Sequence, residues 1–268
     1  MTSMTRLKWI HLLAAAWMFI GMVAFADPVP GAHSHNDYEH ERPLLDALDQ
    51  GFCSVEADIF AVDGQLLVAH DRHKIKPERT LQALYLDPLR DRVKANGGRV
   101  FRDGPEFFLL IDFKTEAGPT WAALGPVLEG YRELLTEFRT NSTEKKAVTI
   151  VLSGNSPREQ LAAASIRWAA IDGRLPDLTA NPSPHLVPWI SENWINHFRW
   201  RGWGDMPADE KTKLRGLVAR AHAQGRLVRF WGAPDFDPLW REQFDAGVDF
   251  INTDKLAGLA AFLKDRRR

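Results

Sequence analysis

The chain contains a single cysteine, Cys53, among its 268 residues, so no disulfide can form within it. It also lacks an excess of charge, because 34 basic and 35 acidic residues give a formal net charge of −1. A near-neutral protein has no general electrostatic attraction to nucleic acid. We therefore expect an apolar core to stabilise the chain, with Cys53 buried in it and no nucleic acid among the partners.

Long apolar runs are absent after residue 26. The one such run, residues 9–26, follows Arg6 and Lys8 and ends in Ala24-Phe25-Ala26. This pattern is typical of a signal peptide over residues 1–26, cleaved after Ala26. The alternative is an uncleaved membrane anchor formed by residues 9–26, since their length approaches that of a membrane span. We expect residues 27–268 to be one domain, secreted or periplasmic after cleavage, with the anchored form as the alternative.

Strand-like and helix-like segments alternate through the rest of the chain. Short apolar runs predict strands at 32–35, 53–62, 65–70, 107–113, 147–152, 166–171, 186–190, 227–231 and 248–252. Helical periodicity and end signals predict helices at 43–50, 121–138, 157–164, 209–224, 238–246 and 256–264, and residues 178–188 read as a loop. About eight strand–helix units indicate an α/β fold, a single (β/α)8 TIM-type barrel.

Polar residues concentrate where the predicted strands end. In a (β/α)8 barrel the active site lies at the carboxyl ends of the strands. The polar residues found at or near those ends are His35, Asn36, Glu56, Asp58, Asp112 and Lys114, and His70 ends the predicted hairpin partner at 65–70. The sequence therefore predicts one polar site at the barrel mouth.

Three carboxylates stand in otherwise apolar strands. Glu56 and Asp58 are two residues apart, so their side chains share one face of a strand, and Asp112 interrupts the apolar run at 107–113. A divalent cation with oxygen ligands would relieve the repulsion between such carboxylates. Together with the Asn36 amide, this all-oxygen set predicts one Mg²⁺ or Ca²⁺ ion. The alternative is a buried salt bridge between Asp112 and Lys114.

The histidines then remain free for proton transfer, because imidazole can both accept and donate a proton near pH 7. A divalent cation, two histidines and a lysine suit the hydrolysis of a phosphodiester. His33 shares the strand face of His35, so it either contacts the substrate or caps a packed loop. Trp231 ends the predicted strand at 227–231, where it either forms an aromatic wall for a substrate headgroup or packs in the core.

Four short motifs resemble those of the phospholipase C-like phosphodiesterase superfamily, which includes phosphatidylinositol-specific phospholipases C and glycerophosphodiester phosphodiesterases. They read SHNDY, SVEADIF, LLVAHD and LLIDFK, in that order. Their form matches best a branch named after the altered inheritance of mitochondria protein 6. Near the carboxyl end, GVDFINTDKL is similar to the last-strand motif of the glycerophosphodiesterases.

The resemblance implies a role for each matched residue. His35 and His70 would be the catalytic pair, Lys114 would contact the phosphate, and the metal ligands would be Glu56, Asp58, Asp112 and Asn36. Asp112 stands where the family usually has glutamate, so the ion would sit differently or keep a bridging water. The implied substrate is a small-molecule or lipid-headgroup phosphodiester. Peripheral contact with a membrane is compatible with such a substrate, and no protein partner is predicted.

Two other classes of function fit parts of the pattern. Amidohydrolases and polymerase-histidinol-type phosphoesterases also use an H-x-H motif on the first strand of a barrel, but they bind transition metals through further histidines on later strands. The later strands predicted here end without histidine. A non-catalytic barrel that binds a headgroup is the third interpretation, although such a module needs no pair of proton-transferring histidines.

Overall fold

The computed structural model describes residues 26–266. The predicted signal peptide therefore lies outside the described residues, apart from Ala26. Within residues 26–266, no helix combines the length and the apolar character needed to cross a membrane.

A closed parallel barrel forms the centre of the molecule. In chain order, the strands of the described part are β1 (Val29–Ser34), β2 (Phe52–Val62), β3 (Gln65–Val68), β4 (Phe107–Phe113), β5 (Glu137–Arg139), β6 (Thr143–Glu144), β7 (Val148–Gly154), β8 (Ile166–Arg167), β9 (Ala170–Gly173), β10 (Trp189–Asn193), β11 (Leu227–Trp231) and β12 (Phe250–Thr253). Eight of them pair in the order β1-β2-β4-β7-β9-β10-β11-β12, and β12 pairs again with β1. The prediction of a single (β/α)8 barrel is confirmed.

Helices cover the outside of the barrel. They are α1 (Leu45–Asp49), α2 (Asp87–Ala95), α3 (Ala117–Gly130), α4 (Arg158–Ala163), α5 (Leu175–Ala180), α6 (Trp194–His197), α7 (Ala208–Ala223), α8 (Asp237–Asp245) and α9 (Leu256–Arg266). In α7, the buried residues Leu214, Val218 and Ala221 recur at the spacing of one helix face. That face packs against the barrel, and the charged residues of α7 face solvent except Glu210, which is buried and accepts hydrogen bonds from the backbone N–H groups of Arg199 and Trp200.

The hairpin of β2 and β3 extends the barrel wall at its carboxyl end. Asp63 and Gly64 join the two strands, and both have positive φ, at 49° and 77°. A two-residue turn of this kind matches the twist of antiparallel strands and favours glycine. The predicted hairpin is confirmed. It continues β2 beyond the point where that strand pairs with β4.

The sequence prediction is wrong between the third and sixth barrel strands. The helix predicted at 121–138 ends at Gly130, because Leu135 pairs with Val148 and residues 137–139 form β5. The strand predicted at 166–171 is two strands: β8 joins β5 and β6 in a small antiparallel sheet, and β9 lies in the barrel. The strand predicted at 186–190 begins at Trp189, and the segment predicted as a loop at 178–188 begins inside α5.

The interior of the barrel is apolar at its amino end. Phe108, Trp189 and Phe250 pack there as an aromatic plug, with ring centroids 4.4 to 5.6 Å apart. Because successive residues of a strand face opposite sides, Phe108, Leu110 and Asp112 of β4 all point inward. The larger apolar core, which includes the buried Cys53, lies between the barrel and the helices. Polar inward residues therefore collect at the carboxyl end.

Candidate active site

Three carboxylates converge at the carboxyl ends of two neighbouring strands. Glu56 and Asp58 lie on β2, and Asp112 of β4 pairs in register with Asp58. Ligand oxygens of the three residues all lie within 4.8 Å of one another. The Lys114 ammonium contacts Asp58 Oδ2 at 2.9 Å and Asp112 Oδ1 at 3.1 Å. The two alternatives of the sequence analysis, a carboxylate cluster and a salt bridge to Lys114, are therefore both present.

The electrostatics of this cluster suit a divalent cation. Asp58 Oδ1 is buried and has no hydrogen-bond partner among residues 26–266. Burial and the charge of Glu56 raise the pKa of Asp58 to about 6, against the opposing effect of Lys114. An unpaired buried carboxylate oxygen is costly unless another cation satisfies it. The donor set fits an ion that prefers oxygen ligands, such as Mg²⁺ or Ca²⁺.

Asn36 lies beside Asp58, where the sequence analysis expects it. The Tyr38 hydroxyl is 2.7 Å from Asn36 Oδ1 and 2.6 Å from Asp58 Oδ2. Burial and the charge of Asp58 hold the pKa of Tyr38 well above its usual range, so the hydroxyl remains a donor. Asn36 itself adopts the left-handed conformation, with φ at 47°. This turn brings the amide oxygen and the Asp58 carboxylate to the same hydroxyl.

A buried network of His33, Ser54, Glu56 and Arg229 lies beneath the carboxylates. Arg229 Nη1 donates to His33 Nε2 at 2.7 Å and to Glu56 Oε2 at 3.1 Å. Because a guanidinium has no acceptor, His33 Nε2 must accept, and its Nδ1–H then donates to Ser54 Oγ at 2.7 Å. His33 is completely buried. The residue predicted to contact substrate therefore packs below the site, in contact with Glu56.

The charges of this network are fixed by burial and by Arg229. Burial, reinforced by the Arg229 guanidinium, lowers the pKa of His33 to about 4, so the ring is neutral. Burial alone would raise the pKa of Glu56, but the charge of the Arg229 guanidinium outweighs it and lowers that pKa below its usual range. Glu56 is therefore ionised.

His35 is held by a carboxylate from the last barrel strand. Its Nδ1 lies 2.9 Å from Oδ1 of Asp254, which follows β12. Burial would lower the pKa of His35, but the hydrogen bond with Asp254 and the charge of Glu56 raise it above its usual value. Asp254 is positioned in turn by Asp235, whose Oδ2 accepts the Asp254 backbone N–H at 3.0 Å. This chain of contacts orients the imidazole and leaves its Nε2 free of Asp254.

The remaining two predicted site residues lie at the edges. His70 follows β3, and the N–H of its neighbour Ala69 donates to the Asp58 carbonyl at 3.2 Å. The His70 side chain is half exposed, with Nδ1 3.3 Å from Asp71 Oδ1. Trp231 is partly buried at the end of β11, beside Asn193. Across residues 26–266, no hydrogen bond or ring contact connects Trp231 with the carboxylates.

Three polar residues near the site were not predicted from the sequence. Arg229 interrupts the apolar run of β11, and that interruption was the available signal. Asp254 follows the last strand, and Asn252, which pairs in register with His33, has buried amide atoms without partners in the described chain. Both stand in the GVDFINTDKL segment, whose last-strand position was the available signal.

Comparison with known proteins is consistent with this site. The family model of the AIM6-like phosphodiesterase domain matches residues 24–170, more than half of the chain. The model of the Glycerophosphoryl diester phosphodiesterase family matches residues 228–257, which include β11 and β12. The two matches together include the carboxylates, His35, Arg229 and Asp254.

Relatives and solved structures extend the likeness to most of the chain. The altered inheritance of mitochondria protein 6 homolog of Arthroderma benhamiae is 30% identical over 262 residues, which cover 85% of this chain and 81% of that protein. Its counterpart in Lachancea thermotolerans is 31% identical over 282 residues, covering 85% and 64%. A glycerophosphodiester phosphodiesterase from Parabacteroides distasonis shares the fold, with a TM-score of 0.54 at 13% identity over 91% of this chain and 100% of that one. The chain therefore belongs to the family of AIM6-like phosphodiesterase domains.

Proposed function

We propose that the protein hydrolyses phosphoric diesters with one divalent cation, Mg²⁺ or Ca²⁺. The observation that carries this proposal is the geometry of the barrel mouth. Three carboxylates lie within 4.8 Å of one another. Lys114, which contacts Asp58, and His35, which contacts Asp254, lie at the same end of the barrel. Such a group of charges serves no evident packing purpose, and it combines the parts that phosphodiester hydrolysis requires.

Glu56, Asp58 and Asp112 would hold the cation, with the Asn36 amide oxygen beside them. When bound, a divalent cation supplies positive charge to a non-bridging phosphate oxygen. Lys114 extends from the same group of residues, with its ammonium within 3.1 Å of both Asp58 and Asp112. Its position allows it to contribute a second positive charge to the phosphate.

His35 is the residue best placed to move a proton. Asp254 accepts its Nδ1–H, so Nε2 is free to exchange a proton with the attacking or the leaving oxygen. His70, at the rim on the segment after β3, is the second proton carrier. A neighbouring hydroxyl of the substrate or a water molecule would attack, giving its proton to one histidine while the leaving oxygen takes a proton from the other.

The proposed substrate is a glycerophosphodiester or phospholipid-type headgroup. Two structures that share the fold are named glycerophosphodiester phosphodiesterases, which supports this class. Trp231, at the end of β11, is proposed as an aromatic wall for the headgroup. We also propose that residues 1–26 direct export of the protein, on the basis of their basic start, apolar middle and A-x-A end.

One observation argues against the amidohydrolase-type interpretation. That interpretation requires both histidines of the H-x-H motif as metal ligands. His33 Nε2 instead accepts from Arg229, and His33 Nδ1 faces Ser54, so both ring nitrogens are occupied. Only a rearrangement of this buried network would free His33 for a metal.

Hydrolysis of bis(p-nitrophenyl) phosphate by the full chain tests the proposal. The assay is run with chelator and then with Mg²⁺, Ca²⁺, Mn²⁺ or Zn²⁺ restored. We expect activity with Mg²⁺ or Ca²⁺, and a loss of roughly 10²- to 10⁴-fold in kcat for His35→Ala and His70→Ala, as for removal of a general acid or base. The matched control is His73→Ala, an exposed histidine three residues after His70.

Two results would contradict the proposal. Turnover that persists undiminished in chelator would exclude a catalytic cation, and equal activity of the His35→Ala and His73→Ala variants would exclude His35 as a proton carrier. Activity restored by Zn²⁺ or Mn²⁺ alone would favour the amidohydrolase-type interpretation. Silence with every metal, combined with binding of a headgroup, would favour the non-catalytic barrel.

A further inference from the structure

A second pocket lies beside Tyr38, and its lining contains none of the three carboxylates. It has a volume of about 310 Å³ and lies between the loop that follows β1 and the segment that follows β3. Beside Val68 and Ala69, its lining consists of Tyr38, Glu39, His40, Lys74, Lys76 and Arg79. The proposed hydrolysis does not use this pocket.

The pocket carries more positive charge than its own carboxylate can neutralise. Three cations, Lys74, Lys76 and Arg79, line the pocket with one acid, Glu39, and Lys74 also lies 3.6 Å from Asp71, which is not part of the lining. Lys74 approaches Glu39 only at 3.5 Å, and both side chains are about half exposed, so this pair contributes little. Within residues 26–266, neither Lys76 nor Arg79 has a carboxylate partner.

A fourth group in the lining is also unsatisfied. The Nε2 atom of His40 is buried and has no hydrogen-bond partner in the described part of the chain. Buried polar atoms without a partner are uncommon, and each calls for an explanation such as a missing ligand or ion. Because this nitrogen is closed to solvent, an anion in the open pocket would not reach it, and the surplus positive charge is the observation that favours an anion.

The pocket is rigidly connected to the proposed active site. The Tyr38 hydroxyl contacts Asp58 at 2.6 Å, and the Tyr38 backbone carbonyl accepts from the Arg79 guanidinium. The Val68 N–H donates to the Arg79 carbonyl at 2.8 Å, and the Ala69 N–H donates to the Asp58 carbonyl at 3.2 Å. Tyr38 therefore lines the pocket and also contacts Asp58 of the proposed active site.

We infer that this pocket binds a second phosphoryl group of the substrate, separate from the scissile diester. The inference rests on the proposed function, because it assigns the diester to the carboxylates. A phosphomonoester carries close to two negative charges at pH 7 and has three strong acceptor oxygens. These properties match a pocket in which Lys76 and Arg79 have no carboxylate partner among the described residues, and lysine and arginine are the side chains that bind phosphate most strongly.

The first test measures the binding of inorganic phosphate to the full chain in chelator. The method is titration calorimetry at low ionic strength. The pocket variant is Lys74→Gln with Lys76→Gln, two exposed side chains whose replacement should not disturb folding. The matched control is Arg215→Gln with Lys264→Gln, an exposed basic pair on α7 and α9. We expect at least tenfold weaker binding in the pocket variant alone. Equal binding by the parent, the variant and the control would overturn the inference.

The second test compares two substrates that differ by one phosphoryl group. These are the p-nitrophenyl ester of thymidine 5′-phosphate and the same ester carrying a 3′-phosphate. We expect the parent to prefer the phosphorylated ester at least tenfold in kcat/KM and the pocket variant to lose this preference. Turnover of bis(p-nitrophenyl) phosphate, which has no second phosphoryl group, should be equal in both. Absence of any turnover would count against the proposed function. The phosphate titration would still decide whether the pocket binds a phosphoryl group.

A third test separates a lipid source of the phosphoryl group from a soluble one. Sedimentation with phosphatidylcholine vesicles is compared with and without phosphatidic acid, whose headgroup is a phosphomonoester. Binding to phosphatidic acid vesicles that the pocket variant loses would assign the group to a lipid. Binding of soluble phosphate alone would assign it to a soluble substrate, and binding of neither would overturn the inference.

Discussion

The two ends of the barrel interior are built from the same strands but have opposite chemistry. At the amino end, Phe108, Trp189 and Phe250 form an aromatic plug. At the carboxyl end, Asp58 and Asp112 lie side by side with an unpaired oxygen between strands. The change takes only four residues along β4, from Phe108 to Asp112. In this barrel the amino end of the interior therefore contributes to stability, and the carboxyl end carries the reactive groups.

A middle layer separates the two ends and shares properties with both. His33, Glu56 and Arg229 are as buried as the plug but carry the polar groups of the mouth. The His33 ring packs edge-on against Trp189 at 6.1 Å, and its Nε2 accepts from Arg229. Charges in this layer are paired, whereas the oxygen of Asp58 above them is not. Asp58 therefore keeps one oxygen available to a further cation, although Lys114 contacts its other oxygen.

Replacing Arg229 in the middle layer should lower the stability of the protein more than the other substitutions described below. In Arg229→Met, Glu56 would remain as a buried charge without its partner, so we expect a loss of about 3–5 kcal/mol in the free energy of unfolding. Chemical denaturation measures it. The double variant Arg229→Met with Glu56→Gln should be more stable than Arg229→Met alone, because the uncompensated charge is gone. A loss below about 1 kcal/mol in Arg229→Met would show that the pair is not structural.

The pH dependence of stability should reveal the neutral His33. Its pKa of about 4 in the folded protein lies below the ordinary value of 6.5, so between these values the unfolded chain binds more protons. The contribution of His33 to the free energy of unfolding is complete above pH 6.5. It is lost as the pH falls to about 4, a change of about 3 kcal/mol. Unfolding of the parent and of His33→Gln, measured in chelator, should diverge over this window. Parallel profiles would contradict a buried neutral His33.

Cation binding should stabilise the mouth without involving the plug. A ligand present at a hundred times its Kd raises the free energy of unfolding by about 2.7 kcal/mol. We expect Mg²⁺ or Ca²⁺ to raise the Tm of the parent and of Glu192→Gln, a carboxylate on β10 that is already paired with His197. The Asp58→Asn variant should show no such rise. An equal rise in Asp58→Asn would place the cation elsewhere.

The smallest effect concerns the orientation of His35. Its contact with Asp254 is only partly buried, with the carboxylate 62% exposed, and such pairs are worth up to about 1 kcal/mol. We expect Asp254→Asn to lower kcat by roughly fivefold, and Asp71→Asn, beside His70, serves for comparison. Unchanged kcat in Asp254→Asn would show that this carboxylate does not orient His35.

The parts of the fold that the sequence predicts well are the uninterrupted apolar strands. The predicted bounds of the strands at 53–62 and 107–113 agree with β2 and β4 to within one residue. The helix predicted at 121–138 is wrong because its apolar spacing continues into residues that pair with β7 instead. Local periodicity describes which face is apolar, but tertiary pairing decides whether a segment near a helix end remains helical.

Residues of the candidate site were predictable where the signal lies within the sequence of a single strand. Glu56, Asp58 and Asp112 are recognisable because carboxylates are rare in buried strands. Arg229 was missed because its partner Glu56 lies 173 residues earlier in the chain, and Asp254 lies 219 residues from His35. Such pairs form only when the barrel closes and brings its first two strands close to its last two.

The measurement that tests the central claim most directly is the activation of diester hydrolysis by Mg²⁺ or Ca²⁺ in three proteins. These are the parent, Asp58→Asn and Glu192→Gln, assayed with bis(p-nitrophenyl) phosphate after chelation. We predict the same saturable activation curve for the parent and Glu192→Gln, and no activation for Asp58→Asn over that range of concentration. Undiminished turnover in chelator, or an unchanged curve for Asp58→Asn, would contradict the account.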